Sequence, residues 1–175
     1  MNTYFIRHTS VDVAPGVCYG RSDVPLSDTF EEEASRTLEQ IKDIKFDKVY
    51  TSPLSRSVKL ATYCGFPKAE QEPRIMELDF GDWEMQKFDD IKDLNLEKWY
   101  KDYLDIKPAG GESYQDMAAR VASFITELRQ QPYENVAIFC HGGTILCAMV
   151  YAGLLKMEGM FEHIPPFGSV TKIEL

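Results

Sequence analysis

Two histidines and two arginines carry the chemical interest of this sequence. His8 follows Arg7 at the end of the apolar run 3–7, His141 closes the run 136–140, and Arg56 lies three residues beyond the Ser52-Pro53 pair. A neutral imidazole nitrogen can attack phosphorus and hold the phosphoryl group covalently, dividing a hydrolysis into two displacements. Arginine grips phosphate oxygens through a planar, permanently charged fork, which suits Arg7 and Arg56. Backbone amides opening a helix at Gly142, directly after His141, form a further anion site. The chemistry open to this set is phosphoryl transfer. Singly, each residue says little. A lone histidine is more often a satisfied structural residue, and Arg56 alone reads as half of a surface ion pair. Two of the chain's three histidines at matching strand ends is the informative fact; His163, in a proline-rich late loop, is given no role.

These side chains need strands and helices to bring them together. Residues 3–7, 48–51 and 136–140 read as short apolar strands, and 169–175 as a closing strand, antiparallel to the rest. Ser27 can cap a helix whose Phe30, Ala34, Leu38 and Ile41 fall at helical spacing. Ser52 at an N-cap with Pro53 at the first helical position predicts a helix that carries Arg56 in its first turn. After the Gly110-Gly111 break, Ser113 and Asp116 form a capping-box pattern ahead of Met117, Val121, Phe124, Ile125 and Leu128. Strand and helix alternate, which predicts an α/β fold: a mainly parallel central sheet covered by helices on both faces, a three-layer α/β/α sandwich. Ligands of such sheets bind beyond the carboxyl ends of the strands, where His8, His141 and Arg56 fall.

The chain has 175 residues, 44% of them hydrophobic and 27% charged, with a net charge of −9. That size fits one domain with a proper core. The acidic balance argues against a nucleic-acid partner, which would need a basic face, but leaves room for a small phosphorylated ligand held by a few arginines. The opening residues lack the pattern of a secretory signal, and the longest apolar passage, 144–155, is too short to span a bilayer, so no membrane partner is expected. Four cysteines, Cys18, Cys64, Cys140 and Cys147, form no CxxC pair. Cys140 and Cys147 flank His141, yet their spacing matches no zinc pattern, and reduced core thiols in a cytoplasmic protein are the expectation. No metal or cofactor is expected.

Taken together the motifs match a family. Arg7-His8-Thr9 after a strand, Thr51-Ser52-Pro53-Leu54-x-Arg56, Glu77-x-Asp79-Phe80-Gly81-x-Trp83-Glu84 and His141-Gly142-Gly143 occur in an order that resembles the histidine phosphatase superfamily, the phosphoglycerate mutase-like proteins. The resemblance implies a metal-independent phosphatase in which His8 is phosphorylated and Arg7, Arg56, His141 and Gly142 hold the phosphate. It also implies that Glu77, by itself readable as a solvated carboxylate, protonates the leaving oxygen and then activates water. The usual opening of the family is Arg-His-Gly-Glu-Thr with an asparagine three residues on. Here Thr9 stands at the glycine and Ala14 at the asparagine, so one phosphate hydrogen bond is missing unless Thr9 or Ser10 replaces it. That variant opening, followed by Cys18-Tyr19-Gly20-Arg21, is similar to the alpha-ribazole phosphatase branch, whose members remove phosphate from alpha-ribazole phosphate during assembly of the cobalamin nucleotide loop. The alternatives are a broad-specificity phosphatase of the same superfamily and a non-catalytic module that binds phospholigands.

The segment at about 83–110 lacks the strand rhythm and is rich in rings: Trp83, Phe88, Trp99, Tyr100 and Tyr103. It reads as a lid-like insert in a single domain, with Trp83, Cys18 and Tyr19 as candidates for contact with a flat, aromatic-bearing leaving group.

Overall fold

A computed structural model describes residues 1–175. Strand β1 (Asn2–Arg7) leads to helix α1 (Phe30–Ile41), then β2 (Lys48–Thr51), α2 (Ser55–Tyr63) and the two-residue β3 (Glu70–Gln71). Three 3-10 turns, at Pro73–Ile75, Gly81–Trp83 and Phe88–Asp90, lead into the short α3 (Asn95–Lys101). After α3 come α4 (Tyr114–Leu128), β4 (Asn135–Cys140), α5 (Gly142–Tyr151), a 3-10 turn at Met160–His163 and β5 (Val170–Glu174). The sheet order is β3-β2-β4-β1-β5. All neighbours run parallel except β1 and β5.

Alternation along the two central strands divides the core into two layers, because successive side chains point to opposite faces. Phe5, Val136, Ile138 and Cys140 face α4 and α5, where they meet Met117, Val121, Phe124, Ile125 and Ile145. Ile6, Ala137 and Phe139 face α1 and α2 and pack with Ala34, Ile41, Leu60 and Ala61. The expected helical faces are the buried ones. Ser113 forms the capping box with Asp116 at the start of α4, an arrangement that contributes about 1 kcal/mol. All four cysteines are buried free thiols, and no helix is long and apolar enough to cross a membrane.

Two helix starts differ from expectation. Helix α1 begins after Thr29, which makes no side-chain cap; Ser27 lies two residues further upstream and accepts weakly from the Thr29 amide. Helix α2 begins after Leu54, so Ser52 and Pro53 precede the cap rather than form it. The Ser52 side chain is engaged across the sheet instead, with His141.

Candidate active site

Strand register builds the site. Arg7 pairs with Cys140 in the parallel β1–β4 ladder, so the residues that follow them, His8 and His141, emerge side by side at the carboxyl edge. The His8 amide donates to the Cys140 carbonyl at 3.1 Å, and the Ser52 amide, one residue past β2, donates to the Phe139 carbonyl at 2.8 Å. Three adjacent strand ends thus present His8, His141 and Ser52 in a row, with the two imidazole centroids 5.2 Å apart.

Both histidines are buried, and hydrogen bonds fix their tautomers. His8 Nδ1 lies 2.7 Å from the Thr9 carbonyl oxygen. A carbonyl can only accept, so Nδ1 carries the proton and the Nε2 lone pair is free. Burial, then the nearby Arg56 charge, pushes the His8 pKa down to about 3 against the hydrogen bond to Thr9, which keeps the ring neutral and nucleophilic. His141 Nε2 lies 2.7 Å from Ser52 Oγ. That oxygen already accepts from the Leu54 amide, and its own buried O–H needs an acceptor, which His141 Nε2 supplies. His141 is therefore the Nδ1–H tautomer. Burial, followed by Arg56 and His8, holds it well below its ordinary pKa.

The arginines are fixed by backbone carbonyls. Arg56, fully buried in the first turn of α2, donates to Ser22 O at 2.9 Å and Gly20 O at 2.6 Å. Arg7 donates to Pro165 O, and its guanidinium lies 4.0 Å from the centre of the Phe167 ring. Gly142 permits this placement, since a Cβ there would sit 3.3 Å from Arg7 Nε and Cζ. Glu77 accepts from the Leu78 amide at 3.0 Å and from the Gly143 amide at 3.1 Å. A Cβ at Gly143 would overlap Glu77 Oε1, so the second glycine of the pair is what lets the carboxylate reach the start of α5. From behind, Arg120 donates to the Arg74, Met76 and Glu77 carbonyls.

Arg7, His8, Arg56, Glu77, Gly142 and Gly143 line a cavity of about 240 Å³. Arg7 Nε and Arg56 Nε, and His141 Nδ1 on a ring that adjoins His8 without itself lining the cavity, are buried donors with no protein partner. Such a set around a free imidazole nitrogen can hold an oxyanion in line with a nucleophile. The rest of the lining is largely apolar: Val17, Cys18, Tyr19, Phe80, Phe88, Tyr114, Leu146, Phe161 and Ile164.

Of the expected leaving-group residues, Cys18 and Tyr19 line this cavity and Trp83 does not. Trp83 is 1% exposed and gives its indole N–H to Asp93 at 2.9 Å; it is a core residue. Trp99 packs against Phe80 and Trp83, and Tyr100 is exposed, so within the insert it is Phe88 that reaches the cavity. Neither Thr9 nor Ser10 lines it, and the Ser10 amide is bound to Glu33; Thr9 Oγ1, buried and without a protein partner, is the hydroxyl left to stand in for the asparagine missing at Ala14. Tyr114, Phe161 and Ile164 were not legible from motif spacing. A capping serine directly before Tyr114 places that ring at a helix start, but nothing in the sequence points it at His8.

Comparison with known proteins agrees with this geometry. The model of the histidine phosphatase superfamily (branch 1) matches residues 3–175. The adenosylcobalamin/alpha-ribazole phosphatase of Escherichia coli K12 is 28% identical, with 100% of this chain and 90% of that protein covered. The phosphatase PhoE of Bacillus subtilis is 30% identical, covering 81% of this chain and 69% of PhoE. Among solved structures, the alpha-ribazole phosphatase of Shigella flexneri superposes with a TM-score of 0.92 at 27% identity, covering 100% of this chain and 91% of that one. A match over nearly the whole chain, in a fold of phosphoglycerate mutase type, makes this protein a phosphatase that belongs to the histidine phosphatase superfamily.

Proposed function

We propose that the protein hydrolyses alpha-ribazole 5'-phosphate, or a monoester of the same build, through a phosphohistidine on His8. The reading is carried by one observation: His8, with its Nε2 lone pair free, shares a cavity with Arg7 and Arg56 and has its ring centroid 5.2 Å from that of His141, and Arg7 Nε, Arg56 Nε and His141 Nδ1 are all buried donors without a protein partner. In the first displacement His8 Nε2 attacks phosphorus. Arg7, Arg56, His141 and the amide end of α5 at Gly142 take the growing charge on the equatorial oxygens, and Glu77 gives a proton to the leaving oxygen. In the second, Glu77 takes a proton from water, which attacks the phosphohistidine and frees His8 and inorganic phosphate. The Nδ1–H bond to Thr9 O holds the imidazole in one orientation through both steps. For the leaving group, the support is the aromatic part of the cavity lining, where Tyr19, Phe80, Phe88, Tyr114 and Phe161 offer ring surfaces to a flat base. Residues at about 83–110 act as a lid in this reading, with Phe88 its contact. A second reading is a broad-specificity phosphatase: the chain matches PhoE, a phosphatase whose name carries no substrate, over 81% of its length.

Rapid quench with labelled substrate separates the possibilities. The wild type gives an acid-labile, base-stable phosphoenzyme and His8→Ala gives none; substantial turnover by His8→Ala would end the mechanism. Across a panel of monophosphates, alpha-ribazole phosphate has the highest kcat/KM. A flat profile would select the broad-specificity reading.

A further inference from the structure

We propose that Glu84 is a positioning residue for Arg56, acting through the backbone of residues 20–22. The inference rests on the phosphatase reading above and adds to it a residue that does not line the cavity.

The carboxylate of Glu84 gathers five donors. Its Oε2 accepts from the Gly20 amide at 2.9 Å, the Ser22 amide at 3.2 Å and the Ser22 hydroxyl at 2.6 Å. Its Oε1 accepts from the Arg21 amide at 3.0 Å and the Phe80 amide at 3.1 Å. These bonds outweigh burial and keep the carboxyl group below its ordinary pKa, so it is charged at neutral pH. On the opposite side of the same three residues, the Gly20 and Ser22 carbonyls take both terminal nitrogens of Arg56. The Gly20–Arg21 peptide group therefore has its N–H on the anion and its C=O on the cation, and the peptides on either side of it are each held at one end. The loop relays an ion pair whose members do not touch, with both polarising the peptide between them.

The relay is pinned in space. A Cβ on Gly20 would collide with the Leu78 carbonyl and with Phe80, so the loop lies directly on the segment that runs from Glu77 to Glu84. Arg56 spends its two terminal nitrogens on this loop and keeps Nε unpartnered. Whatever sets the loop sets the height of Arg56 over the phosphate position.

Glutamine cannot replace this carboxylate. Donors face both oxygens, so the side-chain NH2 of a glutamine at this position would be opposed to amide N–H groups in either orientation. The test measures inorganic phosphate affinity by calorimetry, kcat and KM for p-nitrophenyl phosphate, and thermal unfolding, in Glu84→Gln, Ser22→Ala, Arg56→Lys and the Glu84→Gln/Arg56→Lys double variant. Glu84→Gln is expected to lose roughly 10-fold in phosphate affinity, and Ser22→Ala, with one contact removed, about 3-fold. Once lysine, which cannot bridge both carbonyls, stands at position 56, the Glu84→Gln loss should shrink to about 2-fold or less. Folded Glu84→Gln with wild-type phosphate affinity, or losses that add fully to those of Arg56→Lys, would overturn the proposal. Should Glu84→Gln fail to fold, Ser22→Ala decides: unchanged affinity there sinks it. A wild type that binds no phosphate and cleaves no monoester would instead remove the underlying phosphatase reading.

Discussion

Replacing Ser52 by alanine removes a single oxygen that no local pattern marks as functional. In the folded protein this oxygen accepts from the Leu54 amide at 3.3 Å and sits 2.7 Å from His141 Nε2. All of these groups are buried, so the variant leaves His141 Nε2 and the Leu54 N–H unpaired, at a cost of about 1–3 kcal/mol in stability. The larger effect falls on the imidazole. Without the hydroxyl proton to accept, His141 is free to carry its own proton on Nε2, and Nδ1 then turns from donor to acceptor. A lone pair aimed at a phosphoryl oxygen replaces a hydrogen bond to a charged group worth about 1.5–3 kcal/mol, so kcat/KM should fall roughly 10- to 150-fold. Nitrogen-15 shifts of the two imidazole nitrogens report the tautomer directly, and steady-state kinetics report the loss. A Ser52→Ala protein that kept both the Nδ1–H tautomer and wild-type kcat/KM would refute the reasoning, even if it melted at a lower temperature.

Three further outcomes are expected. Glu77→Gln should slow an alkyl phosphate at least about 10-fold more than p-nitrophenyl phosphate, whose leaving group needs little protonation; equal losses would leave Glu77 without an acid role. His8 is held near 3 in the folded state against its ordinary 6.5, so the unfolded chain binds the extra proton and stability falls as pH drops through that interval. Between pH 6.5 and 5, above the carboxylate range, His8 should account for about 1–2 kcal/mol in urea unfolding, a slope that His8→Asn should flatten. His141 contributes in the same direction. Met85 has a φ of 63°, a region costing a non-glycine residue about 1 kcal/mol, so Met85→Gly should unfold at the same or a slightly higher temperature and Met85→Val at a lower one.

How much of this was legible in the sequence depended on whether a signal was local. A continuous apolar run such as 136–140 marks a strand buried on both faces, the helical stripe from Met117 to Leu128 names its own buried face, and the strand ends followed from such runs. Hence His8, His141 and Arg56 fall on one rim from sequence order alone. Ser52 was misread because Ser-Pro before a helix is a strong local pattern, while the demand that placed it, an acceptor 89 residues away, is tertiary. Trp83 was misread because an aromatic residue in an irregular segment carries no sign of its direction, and a partner for its indole N–H in Asp93 drew it inward. The two-residue β3 has too few side chains to show a period. Phe161 and Ile164 reach the cavity from a late turn that no motif touches.

The position of β1 has a consequence for synthesis on the ribosome. Its neighbours, β4 and β5, supply Asn135 and Glu174 as the partners of Asn2. The strand that carries His8 is therefore translated long before either of its edges can be covered. Until then it is an apolar segment with unpaired amides, open to chaperones or to misassociation with other chains. Contacts so distant in sequence also slow the search for the native fold. The phosphate pocket is consequently among the last parts of the molecule to form. Mutations that weaken β5 should then lower the yield of active enzyme in cells, although no residue of that strand approaches the substrate.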